Sequence, residues 1–163
     1  MKKLLMIAAL SSAALSTSAA DVGIINVEKV AEQSVYLKQQ ASAFQQRIQG
    51  QRSQLDTLGK ELQGLQQRMQ SNAKMTDAEK QKIITSYQTK MGEFEKQQQD
   101  LQGLVQANNQ TVYSTFGARL KQAADQLRQE NKLDVILNKN SVISYDAASD
   151  LTDKMIQKIN SIK

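Results

Sequence analysis

Three aspartates near the end of the chain, Asp146, Asp150 and Asp153, are the nearest this sequence comes to a reactive cluster. Carboxylates grouped in this way could hold a hard cation, which takes oxygen ligands. They also stand at the start of a predicted terminal helix, where carboxylates satisfy bare N–H groups and oppose the helix dipole. That second role is the expectation. Other chemistry is excluded by residue type. With no His and no Cys, the chain has no Ser-His or Cys-His couple, no thiol nucleophile, no imidazole ligand and no disulfide. Gly59-Lys60-Glu61-Leu62-Gln63-Gly64 has the glycine spacing of a phosphate loop, but Leu65 and Gln66 stand where Lys and Ser/Thr are required. The sequence predicts neither catalysis nor a cofactor nor a metal.

Charge is the next candidate for function. The chain carries 21 Lys and Arg against 16 Asp and Glu. Lys2 and Lys3 precede an apolar run from Leu4 to Leu10, and small residues follow to Ala19 and Ala20, which is the pattern of a secretory leader over 1–19. Cleavage after Ala19 or Ala20 fits equally well. Without Lys2 and Lys3 the balance is 19 basic to 16 acidic, a net +3. Arg47, Arg52, Lys60, Arg68, Lys74, Lys80, Lys82 and Lys90 are scattered among acids, and aromatics make up only 4%, so a solvated helix surface is expected rather than a nucleic-acid groove. The leader predicts an exported, soluble protein.

The element that must position these side chains is a long hairpin over 37–112. Ala41, Ile48, Leu55, Leu62 and Met69 form one heptad column and Leu37, Phe44, Leu58 and Leu65 the other, interrupted at Gln51. The repeat restarts with Ile84, Met91, Val105 and Val112 in one column and Tyr87, Phe94 and Leu101 in the other, interrupted at Gln98 and Asn108. A narrow 4,3 stripe is a coiled-coil seam. Between the runs, Thr76-Asp77-Ala78-Glu79 has the form of a capping box, which places a turn near 71–76. Two equal seams joined by a turn predict an antiparallel arm about 50 Å long. Six glycines and the seam interruptions predict an arm able to bend. Met69 and Met75 near the tip, with Lys60, Arg68, Lys74, Lys80, Lys82 and Lys90, offer adaptable apolar surface and positive charge as the candidate binding surface.

The remaining segments, 20–36 and 113–163, predict a small body. Val22, Ile24, Ile25 and Val27 lie in a β-branched run that reads as a strand. Leu133, Val135, Ile136 and Leu137, then Val142, Ile143 and Tyr145, read as a β-hairpin around a polar turn. After Val112 the apolar spacing slips through Phe116, Leu120, Ala123 and Leu127, where the returning helix enters a wider core. Residues 150–162 read as an amphipathic helix. The fold class is thus α+β, mostly helical: a long antiparallel coiled-coil arm projecting from a small β-barrel body. Three short strands with free edges predict that the barrel closes only when strands of several chains join. The eleven strand residues named above are the candidate interface.

With these parts in order, the whole chain resembles the Skp (OmpH) family of periplasmic chaperones. The most specific likeness lies in Val22-Gly23-Ile24-Ile25-Asn26-Val27, in Leu133-Asp134-Val135-Ile136-Leu137, in Val142-Ile143-Ser144-Tyr145 and in Asp150-Leu151-Thr152-Asp153. The resemblance implies a homotrimer whose arms enclose unfolded outer-membrane proteins without ATP, and a weak contact with anionic lipid or lipopolysaccharide. Family arms are often richer in Lys and Arg than this Gln-rich one, so no lipid site is assigned. The competing expectation is a structural or adaptor coiled coil that binds one folded envelope partner.

Overall fold

A computed structural model describes residues 20–71 and 75–162. The leader expectation over 1–19 and the binding expectation for Lys74 lie outside the described residues. In chain order the elements are β1 (Val22–Ile25), α1 (Val27–Glu32), α2 (Val35–Gln70), α3 (Asp77–Glu130), β2 (Val135–Asn138) and α4 (Thr152–Ser161), with short 3-10 turns at Lys139–Ser141 and Ala147–Ser149.

The arm is α2 packed antiparallel on the first part of α3. At 36 and 54 residues, the helices run roughly 54 and 81 Å at the usual rise. α3 therefore outlasts its partner and continues into the body. Capping follows the sequence. Asn26 Oδ1 accepts from the Lys29 N–H at 2.9 Å and Ser34 Oγ accepts from the Leu37 N–H at 3.3 Å. At the start of α3 the capping box is complete: the Glu79 N–H donates to Thr76 Oγ1 and the Thr76 N–H donates to Glu79 Oε2.

The seam of α2 matches the heptad reading at Ile48, Leu58 and Leu62, all buried, with Leu37, Phe44, Leu55, Leu65 and Met69 half-buried. Ala41 is exposed and Gln40 takes the half-covered place, because the first turns of α2 orient Tyr36 and Leu37 toward the body cluster. On α3 one column begins a residue earlier than expected. Ile83 is 8% exposed while Ile84 is 40% exposed; farther along, Lys90, Gln97 and Leu104 are half-buried beside the expected Met91, Val105 and Val112, and Gln98 is exposed. The pairs Ile83-Ile84 and Gln97-Gln98 are alike in composition. Which member of each pair faces α2 is set by how the two helices are rotated against each other.

The body differs more from expectation. β1 and β2 form a two-stranded parallel sheet, with Val22 opposite Val135 and Ile25 opposite Asn138. The expected β-hairpin is absent: 139–141 is a 3-10 turn, and Val142–Tyr145 pairs with no strand among the described residues. Parallel pairing needs a long crossover, and the whole arm supplies it. The far edge of β1 is closed by the chain entering α4, where the Leu151 N–H donates to the Ile24 carbonyl at 2.8 Å. Beneath the sheet lies a core of Ile25, Val30, Phe116, Ala123, Leu127, Leu151, Met155 and Ile159. Phe116, Ala123 and Leu127 are the residues at which the heptad phase slips.

Two local features hold this core. A β-carbon on Gly23 would fall 2.7 Å from Leu151 Cδ1 and 2.8 Å from Leu133 Cδ1, so glycine leaves room for these two leucine side chains to pack directly on β1. α3 ends in a Schellman motif: the Leu133 N–H donates to the Arg128 carbonyl and the Lys132 N–H to that of Gln129. Lys132, at φ 53°, occupies the left-handed position that glycine usually fills.

Candidate functional site

The three C-terminal aspartates are all engaged in local structure. Asp146 Oδ1 accepts from the Ala148 N–H at 2.8 Å. Asp150 Oδ1 accepts from the Thr152 N–H at 2.9 Å and its Oδ2 from the Tyr145 hydroxyl at 3.1 Å. Hydrogen bonds from the Thr152 side chain and backbone, then from Tyr145, hold the Asp150 carboxyl below its ordinary range. Asp153 pairs with Lys29 at 2.8 Å. Among the described residues no group of acidic side chains is arranged to hold a metal.

The tip of the arm is where predicted binding residues converge. Leu65, Arg68, Met75, Glu79, Lys82, Ile83 and Ser86 line one open cleft of about 280 Å³. Met69, Met75, Lys80, Ile83 and Ile84 line a second of about 160 Å³. Met75 and Ile83 are common to both, so an apolar ridge is flanked by two hollows with cationic rims. Five of the eight expected binding residues, Arg68, Met69, Met75, Lys80 and Lys82, meet here. Thr76, backbone first, donates to Glu79 and holds that carboxyl below its ordinary value, so it stays ionised and tied to the cap.

Lys60 and Lys90 stand apart from this group. Lys60 Nζ bonds Asp56 Oδ2 at 2.7 Å within one helix. Lys90 reaches across the seam to Glu61, and that hydrogen bond raises its pKa above the usual lysine value. Lys90 thus ties α3 to α2, its stem lying along the seam with the charge at the rim. Ile83 was missed by the sequence reading; only the register of the two helices distinguishes it from Ile84.

The candidate interface residues fall into two groups. Ile24 and Ile25 are buried within the chain's own fold, and Val22, Val27, Leu133, Val135, Ile136, Val142 and Tyr145 are half-buried. Leu137 is 37% exposed and Ile143 fully exposed. β1 has backbone partners on both sides, whereas the outer edge of β2 has no strand beside it among the described residues.

Comparison with known proteins agrees with this architecture. Residues 21–159 match the family model of the outer membrane protein (OmpH-like) family; the chain belongs to that family. A Skp-like protein of Pseudomonas aeruginosa is 21% identical over 98% of this chain and 95% of its own length. One of Chlamydia muridarum is 22% identical over 96% and 95%. A crystal structure from Caulobacter crescentus, described as an outer membrane chaperone (OmpH-like), shares the fold with TM-score 0.73 and 19% identity, covering 88% of this chain and 86% of that one.

Proposed function

We propose that this protein is an ATP-independent periplasmic holdase. It acts as a homotrimer whose arms surround unfolded outer-membrane β-barrel proteins and keep them from aggregating before they reach the outer membrane. The observation that carries this reading is the arm: two long helices that place an apolar ridge with cationic flanks far from a compact body. Shallow apolar hollows rimmed by Arg and Lys suit many weak contacts with an acidic, unfolded chain, and methionine side chains adapt to varied partners. Membership of the OmpH-like family supports the same role. The open outer edge of β2, with Leu137 and Ile143 exposed beside it, supports assembly through strands of neighbouring copies. A leader over 1–19 would deliver the chain to the periplasm.

The test is dilution of a urea-unfolded β-barrel protein into buffer with and without the chain beginning at Ala20. About one trimer per client should suppress light scattering. Unchanged precipitation would end the holdase reading. Capture of a single folded envelope partner, with unfolded chains ignored, would establish the adaptor coiled coil instead.

A further inference from the structure

The arm is not uniform along its length. Half of the residues over 39–54 and 97–110, the part of the hairpin nearer the body, are glutamine or asparagine, and only Arg47, Arg52 and Asp100 there are charged. The outer part, 55–96, holds thirteen charged residues among forty-two. Spacing gathers the amides into stripes. Gln98, Gln102, Gln106 and Asn109 of α3 recur at intervals of four, four and three, which keeps them on one side of the helix, and all are exposed. Tyr113, 67% exposed, continues the stripe toward the body. On α2, Gln45, Gln49 and Arg52 have the same spacing and, with Gln46, line an open hollow of about 310 Å³. The Glu61–Lys90 bridge marks one side of the hairpin; both stripes turn to the other.

Such a surface offers one kind of chemistry. A primary amide carries two N–H donors, a carbonyl acceptor and no charge. It is the functional group of urea, which solvates peptide groups as well as apolar ones, and Arg52 adds a guanidinium, which does the same. An unfolded chain exposes a donor and an acceptor at nearly every peptide unit. Those bare groups are what join extended segments of separate chains into sheets. The dimensions agree. Amides four residues apart on a helix are separated by a rise of about 6 Å, and peptide groups along one edge of an extended chain recur every two residues, about 6.6 Å. We propose that the root half of the arm is an amide wall that binds the peptide backbone of an unfolded client in extended form and satisfies the groups through which clients aggregate. The charged tip supplies the salt-sensitive contacts, and the neutral wall those that salt does not screen. This deepens the holdase reading and rests on it.

Release of client in high salt tests the wall. With the assembled protein immobilised, a fluorescent, urea-unfolded β-barrel protein is bound at low salt. Its release is then followed at about 0.5 M salt, where charges are screened beyond about 4 Å, with excess free protein present to capture what dissociates. The unaltered protein should keep its client. Gln98→Ala, Gln102→Ala, Gln106→Ala and Asn109→Ala together should speed release about tenfold, the effect of losing one net hydrogen bond. Gln63→Ala, Gln66→Ala, Gln67→Ala and Gln70→Ala together remove as many amides from the outer half and should leave release unchanged. Alanine favours the helix in both variants, which circular dichroism checks. Equal release by the original and root variants, or equal acceleration by both variants, would overturn the wall. Binding at low salt with complete loss at high salt removes the wall alone and leaves the holdase reading standing. If the unaltered protein binds no client at either salt, the holdase reading fails and the wall with it.

Discussion

The body and the arm of this molecule are built on opposite principles. In the body, β1, α1, the end of α3 and α4 surround one cluster in which Val30, Ala123 and Met155 have no exposed surface. Each element is fixed by the others. The arm is a single seam one residue deep, with Ile48, Leu58, Leu62 and Ile83 buried and most other seam positions half-covered. The body is a fixed platform, and the arm is held only along a line. Close packing makes an interior intolerant of change, whereas a thin seam gives up few contacts when it bends.

Truncation should expose this contrast most strongly. Met155→Ala empties a wholly buried site in the body and should cost about 2–5 kcal/mol in denaturant unfolding. Met69→Ala, half-buried at the tip, should cost under about 1 kcal/mol. Equal losses would refute the division between platform and arm. Gly23→Ala should overpack β1 against Leu133 and Leu151 and cost about 1–3 kcal/mol, while Gly64→Ala on the arm, where a β-carbon meets nothing, should raise helix stability by about 1 kcal/mol. Lys132→Gly should relieve the left-handed strain at the end of α3 and raise the melting temperature of the body, a gain of about 1 kcal/mol. Thr76→Ala removes the hydroxyl of the cap at the tip. Its loss of about 1 kcal/mol should register as faster amide exchange over the first turns of α3, with little change in global melting.

The smallest expected effect is that of pH. With no histidine, only an α-amino group titrates near neutrality, so melting should be nearly flat between about pH 5.5 and 9. The depressed carboxyls of Asp150, Glu79 and Asp125, the last lowered by the hydrogen bond from Lys121 at 2.7 Å, contribute stability that is present above their unfolded values and lost as pH falls through the folded ones, so melting should drop in acid. The raised pKa values of Lys29 and Lys90 act in the opposite sense, their contribution being lost only above about pH 10. A strong dependence between pH 6 and 8 would contradict this.

The arm was legible in the sequence because a heptad repeat is local and redundant: Ile48, Leu58 and Leu62 each repeat the same statement, and Thr76 with Glu79 marks the turn. Register between the helices was not legible, since Ile83 and Ile84 differ in nothing that a single strand of text records. The body was harder. β1 pairs with β2 across more than a hundred residues, and a short apolar run does not disclose which partner it takes or in which direction. A polar four-residue turn between two apolar runs reads as a hairpin until α4 is seen to close β1 from the other side. Gly23 gave no signal because its need arises from Leu133 and Leu151, both distant in sequence. The candidate binding residues at the tip were proposed by type, and the convergence of five of them around Met75 and Ile83 came only from the packing of α2 on α3.

The measurement that bears most directly on the account is multi-angle light scattering of the chain beginning at Ala20, alone and after addition of an unfolded β-barrel protein. The account predicts the mass of three copies, rising by one client to a complex that persists through chromatography. The mass of a single copy, or three copies that leave the client to precipitate, would contradict it.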